Sequence, residues 1–108
     1  MFIATIKIVF YKTTSGHCPF SEWFISLDTE TKERINQRLE RLSHGNFGDY
    51  KNLGNEIFEL RFHFGPGYRV YFGKENNKII ILLNGGNKDK QSQDIKKAKI
   101  FWEDFQNV

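Results

Sequence analysis

A single cysteine, Cys18, stands among the 108 residues, which excludes an internal disulfide and makes the reducing cytoplasm the expected compartment. With His17, His44 and His63 it matches no zinc spacing, so neither a metal centre nor a cofactor is expected. Long apolar runs are missing too. No stretch approaches the ~18 residues of a membrane span, and the start, Met-Phe-Ile-Ala-Thr-Ile-Lys-Ile, lacks the basic segment and unbroken apolar core of a secretion signal. The chain is expected to be neither exported nor membrane-bound. Gly65-Pro66-Gly67 and Gly85-Gly86 continue into no Gly-Lys-Ser/Thr or G-x-G-x-x-G pattern, which removes the common phosphate-cradling loops and leaves them as turns. No Ser/His/Asp set can be ordered, and Cys18 beside His17 makes too weak a nucleophile argument. Without a repeat, a low-complexity tract or a long linker, residues 1–108 are expected to form one domain.

What the chain does have is aromatic mass and an uneven charge. Phe occurs 11 times and aromatics make up 16% of the chain, enough to supply a core at roughly 1.5–3 kcal/mol for each fully buried large side chain. The formal charge is +3. Residues 1–50 hold six Lys/Arg against six Asp/Glu, and residues 51–108 ten against seven, so the whole excess lies in the second half. That favours an anionic partner there, against the alternative of lysines that merely solvate a helix and a strand edge.

Alternation from Phe2 to Tyr11 predicts a first strand with one strongly apolar face. Pro19 then suits the first turn of a short helix with Phe20, Trp23, Phe24 and Leu27 inward. Asp28 or Thr29 caps a second helix with Ile35, Leu39 and Leu42 inward, Arg34, Arg38 and Arg41 largely outward, and Gly45 as its stop. Asn46 to Asn55 is read as a loop. A second strand follows with Phe58, Leu60, Phe62 and Phe64 on one face and Ile57, Glu59, Arg61 and His63 on the other. Gly65-Pro66-Gly67 turns it into Tyr68 to Gly73, an antiparallel partner that directs Arg69 and Tyr71 to the face of Arg61 and His63. Lys78 to Leu83 is the candidate central strand, ended by Gly85-Gly86. A terminal helix turns Ile95, Ala98, Trp102 and Phe105 inward. The predicted class is α+β, β-α-α-β-β-β-α, a mostly antiparallel sheet against helices in a single pair of layers.

Three strand-like runs thus bring basic and polar groups toward one surface, and such a set suits a phosphodiester. RNA is cut without metal when the neighbouring 2′-oxygen attacks phosphorus, which needs a base, cations for the growing charge and an acid for the leaving 5′-oxygen. Arg61 and Arg69 offer planar forks to phosphate, Lys88 and Lys90 add charge or take a proton, and His63 titrates near neutrality. Each has a plainer reading: Arg61 pairs with Glu59, Arg69 guards an edge strand, His63 is solvated, Tyr71 covers the sheet, and Lys88 and Lys90 solvate a loop. Lys96, Lys97 and Lys99 read as a solvated helix face, and Asp94 as a charge at the start of the last helix. Trp23 and Trp102 fall at core periodicity. A nuclease requires Arg61, Arg69 and Lys88 to converge, and fails if they diverge or lie buried in ion pairs with acids of their own.

Glu59-Leu60-Arg61, Gly65-Pro66-Gly67-Tyr68-Arg69-Val70-Tyr71-Phe72 and Leu82-Leu83-Asn84-Gly85-Gly86-Asn87-Lys88, with Gln91, Asp94 and Ile95, resemble the RelE/ParE superfamily of toxins. The nearest likeness is to its HigB-like addiction module killer subgroup. The resemblance covers essentially the whole chain. It implies a RelE-like, microbial-ribonuclease-like fold, ribosome-dependent cleavage of messenger RNA, and neutralisation by a small antitoxin of the helix-turn-helix kind. By the same resemblance Arg69 binds the scissile phosphate, with Arg61 and Lys88 at the positions of other basic residues. Tyr71, Lys90, Lys96 and Lys97 are the candidate RNA contacts beside them. Many RelE-like ribonucleases carry a tyrosine near the C-terminus, whereas this chain has Asp94 near that position and no tyrosine after Tyr71. The general base therefore stays open among His63, Lys88, Lys90 and Asp94. A ParE-like inhibitor of DNA gyrase that cuts nothing is the alternative reading.

Overall fold

In the computed structural model, which describes residues 5–107, the period-two segment near the start becomes strand β1 (Lys7–Phe10). Phe2, Ile3 and Ala4 lie outside the described residues. The helical hairpin follows as α1 (Pro19–Ile25) and α2 (Thr29–Ser43). Pro19 opens α1, where a missing N–H costs nothing. Asp28 caps α2, its carboxylate accepting from the Thr31 amide at 3.3 Å and the Thr31 hydroxyl at 2.5 Å.

The expected loop at 46–55 contains a strand, β2 (Tyr50–Gly54), paired antiparallel with β3 (Ile57–Arg61). Its residues are almost all exposed, as an edge strand allows, so it has no apolar alternation to betray it. The connection is a two-residue turn with Asn55 and Glu56 both at positive φ, the geometry that matches strand twist. β4 (Tyr68–Glu75) and β5 (Ile79–Asn87) complete a five-stranded sheet of order β1-β5-β4-β3-β2, antiparallel except for β1 beside β5. A 3₁₀ turn (Lys88–Lys90) leads into α3 (Gln91–Gln106). The architecture is α+β with order β-α-α-β-β-β-β-α, one strand more than the sequence predicts.

The layers also differ from expectation: the sheet is covered on both faces. Phe58, Leu60, Val70, Phe72, Ile80 and Leu82 pack beneath α1 and α2, against Phe20, Ile35, Leu39 and Leu42. Ile57, Tyr71, Ile81 and Leu83 pack beneath α3, against Ala98 and Trp102. Continuous apolar runs in β5 reflect that double burial. Gly85 and Gly86 do not end β5; they lie inside it. A Cβ on Gly85 would stand 2.3 Å from the Trp23 ring, and one on Gly86 would stand 2.0 Å from Asp94 Oδ2. Their bare backbone lets α1 and α3 approach the same stretch of strand from opposite faces. No helix among the described residues is long and apolar enough to cross a membrane.

Candidate functional site

Two cross-strand rows build the polar site on the α3 face. Glu59, Tyr71 and Asn84 are register partners across β3, β4 and β5, and Arg61, Arg69 and Gly86 form the next row. Like charges directly opposite repel, so Arg61 across from Arg69 needs a counter-charge. Glu59 supplies it from a fully buried position. Its Oε1 accepts from Arg61 Nε at 3.1 Å and stands 4.0 Å from Arg69 Nε, while its Oε2 accepts from Gln91 Nε2 at 2.9 Å. One carboxylate therefore ties both basic strands to the first turn of α3.

The arginines are held differently. Arg61 is partly exposed and committed to Glu59. Arg69 is 7% exposed, with Nη1 donating to Tyr68 O at 3.1 Å and Gly67 O at 3.4 Å, and with Nε buried and unbonded. Its Nη2 has no partner among the described residues. Lys88, exposed on the 3₁₀ turn, packs beside it: a Cβ built on Gly67 would lie 3.4 Å from Lys88 Cβ and 3.7 Å from Arg69 Nη1. The three-way convergence expected above is met only in part: the Arg69 guanidinium and the Lys88 stem flank Gly67, whereas Arg61 is ion-paired with Glu59 in the scaffold behind them and Arg69 itself is buried 4.0 Å from the same carboxylate.

His63 stands elsewhere. It is exposed, hydrogen-bonded through Nε2 to Asp49 Oδ2, and lines an open groove of about 350 Å³ with Arg34, Arg38, Arg41 and Arg61. The His63 bond holds the Asp49 carboxyl below its ordinary pKa. Arg38, expected outward, turns in to donate to the carbonyls of Arg61 (2.8 Å), Phe47 (3.1 Å) and Asp49 (2.6 Å), and burial lowers its pKa. It fixes the strand end that carries Arg61.

Asp94 is buried against Gly86, and burial raises its pKa against the opposing pull of Lys97 and Lys90. Tyr71, assigned above to RNA contact, is fully buried beneath α3 and offers no surface to a nucleic acid. Burial and then the Glu59 charge raise its pKa, although the hydroxyl reaches no acceptor in hydrogen-bonding geometry. Lys90, Lys96 and Lys97 are exposed. Among the described residues no three His, Cys, Asp or Glu side chains gather as a metal-binding group.

Sequence reasoning weighed Glu59 only as a partner for Arg61 and gave Gln91 no role. The Glu59-x-Arg61 spacing, which puts acid and base on one face of a strand, was the available signal.

Residues 22–101 match the family model described as "Phage derived protein Gp49-like (DUF891)". A protein of Haemophilus influenzae (strain ATCC 51907 / DSM 11121 / KW20 / Rd), described as "Uncharacterized protein", is 48% identical over 82 residues, spanning 75% of this chain and 83% of that relative. The matched segment runs from α1 into α3 and includes every residue of the two rows. The chain belongs to the Gp49-like family of phage-derived proteins, a toxin-like family related to the addiction module killers.

Proposed function

We propose that the protein is the toxin of a type II toxin–antitoxin pair, a RelE/HigB-like endoribonuclease that cuts messenger RNA on the ribosome until a small helix-turn-helix antitoxin neutralises it. The observation that carries this reading is that the Arg69 guanidinium and the Lys88 side chain flank Gly67: a Cβ there would meet Lys88 Cβ at 3.4 Å and Arg69 Nη1 at 3.7 Å, while Arg69 Nη2 has no partner among the described residues. Two such donors suit the non-bridging oxygens of a phosphodiester, whose charge grows as a neighbouring 2′-oxygen attacks phosphorus. Arg61, ion-paired with Glu59, positions the row and does not itself grip phosphate. Glu59 also forms an ion pair with Arg69 at 4.0 Å, through Nε and without a hydrogen bond. Lys88 beside Arg69, Asp94 on the register partner of Arg69, and Lys90 close to Asp94 are the candidates for proton acceptor. His63 sits in a separate groove and is dropped from that role.

Primer extension on reporter messages after brief induction tests the proposal. Cuts at codon positions that require translation are expected. Intact messages with accumulating DNA breaks would instead place the chain with gyrase inhibitors.

A further inference from the structure

Past the last register pair of β1 with β5, Phe10 opposite Leu82, β5 runs on to Asn87 with no strand of the described residues on its outer side. Along this stretch α1 and α3 frame two adjoining cavities, about 640 and 260 Å³, with Trp23, Gly85, Asp94 and Lys97 lining both. That volume suits a small planar ligand.

Polar groups in the cavity are mostly acceptors. Asn84 is 5% exposed and lines the larger cavity. Its Nδ2 donates to the Asp94 carbonyl at 3.1 Å, which fixes the amide orientation, and its Oδ1 is left buried with no partner. A buried orphan acceptor is costly unless a ligand donates to it. The Asp94 carboxylate, 7% exposed, is a second acceptor and receives no hydrogen bond from the described residues. Trp23 adds a flat apolar wall, and the exposed Lys97 a cationic donor at the rim.

Guanine alone among the RNA bases presents two adjacent N–H donor groups, N1–H and the N2 amino group, next to a carbonyl acceptor, O6. Adenine and cytosine each offer one amino group beside a ring acceptor, and uracil one N–H between two carbonyls. We propose that the cavity between α1 and α3 binds a guanine base, with Asp94 and Asn84 Oδ1 accepting from its donors, Lys97 reaching O6 and the Trp23 ring against its plane. The cavity adjoins the proposed phosphate contact, because Arg69 is the register partner of Gly86, on which Asp94 packs. The inference rests on RNA being the ligand, and deepens that reading by assigning a base preference.

Titration of the wild-type protein with the four ribonucleoside 3′-monophosphates, followed by ¹⁵N NMR at the Asn84 side-chain amide and the Trp23 indole N–H, tests it without requiring cleavage. Guanosine 3′-monophosphate is expected to shift both signals and to bind roughly ten-fold tighter than the other three, the discrimination typical of one bidentate base contact. Asp94→Asn, which replaces one acceptor oxygen by a donor, should erase that preference while phosphate affinity persists. Equal binding of all four nucleotides, no binding at all, or the same shifts with inorganic phosphate would overturn the proposal. Guanosine binding without message cleavage would leave the cavity assignment standing and remove the nuclease. Cleavage without guanine preference would do the reverse.

Discussion

Arg61 and Arg69 face each other across β3 and β4, and the buried carboxylate of Glu59 stands close to both. The two strands can present paired guanidinium groups because Glu59 offsets their repulsion and Gln91 satisfies its second oxygen. Removing one partner of a buried ion pair leaves the other charge without compensation. Glu59→Ala is therefore expected to lower unfolding free energy by about 3 kcal/mol. Arg61→Met should cost clearly less, since Arg61 is partly exposed and Glu59 keeps Gln91 and the neighbouring Arg69. Urea denaturation of both variants checks the order, and equal losses would mean that Glu59 is not shared.

A methyl group at Gly85 tests the packing on the other face of β5. Its Cβ would meet the Trp23 ring at 2.3 Å, and a rigid indole in contact with Phe20 and Tyr68 cannot swing aside cheaply. Gly85→Ala is expected to destabilise the fold by about 1–3 kcal/mol, the usual cost of overpacking. Gly85→Ala combined with Trp23→Leu should recover part of it. A neutral Gly85→Ala in thermal unfolding would show that α1 lifts freely from the sheet.

Periodicity made the helical hairpin, the Asp28 cap, the Gly-Pro-Gly reversal and the Arg61–Arg69 pairing legible, since each depends on near neighbours in sequence. β2 was not legible, because an exposed edge strand of Tyr, Lys, Asn, Leu and Gly is held by backbone pairing with β3 and carries no apolar stripe. Gly85 and Gly86 read as terminators, because composition cannot tell what occupies the space of a missing Cβ. The polar face of β3 and β4 read as open surface, and α3 covers much of it. Tyr71 shows the consequence: alternation placed it beside Arg69, while α3 buries it completely.

Tyr11 closes the β1 end of the sheet onto α3, its hydroxyl donating to Asp104 Oδ2 at 2.6 Å. Burial first, and the Asp104 hydrogen bond second, push its pKa from 10.0 up to about 12. The unfolded chain therefore releases this proton at lower pH than the folded one, and stability falls as pH rises through that interval. Tyr11→Phe should flatten the alkaline loss of stability, and the tyrosinate absorbance of the folded wild type should show one group titrating near pH 12. Loss of stability unchanged by Tyr11→Phe would assign it to another group.

Arg69 carries the proposed chemistry through geometry as much as charge, so Arg69→Lys discriminates better than Arg69→Ala alone. Its Nη1 is held by two backbone carbonyls and Nη2 has no partner among the described residues, an arrangement that a single ammonium cannot reproduce. Loss of an oriented charged donor to a developing oxyanion typically costs on the order of 10²–10³ in rate. Arg69→Ala should abolish growth arrest with antitoxin copurification and far-ultraviolet circular dichroism unchanged. Arg69→Lys should stay well below wild type in message cleavage, and Lys88→Ala, at an exposed position, should lose less than either. Full toxicity of Arg69→Lys would reduce the residue to a point charge, and full toxicity of Arg69→Ala would remove it from the site.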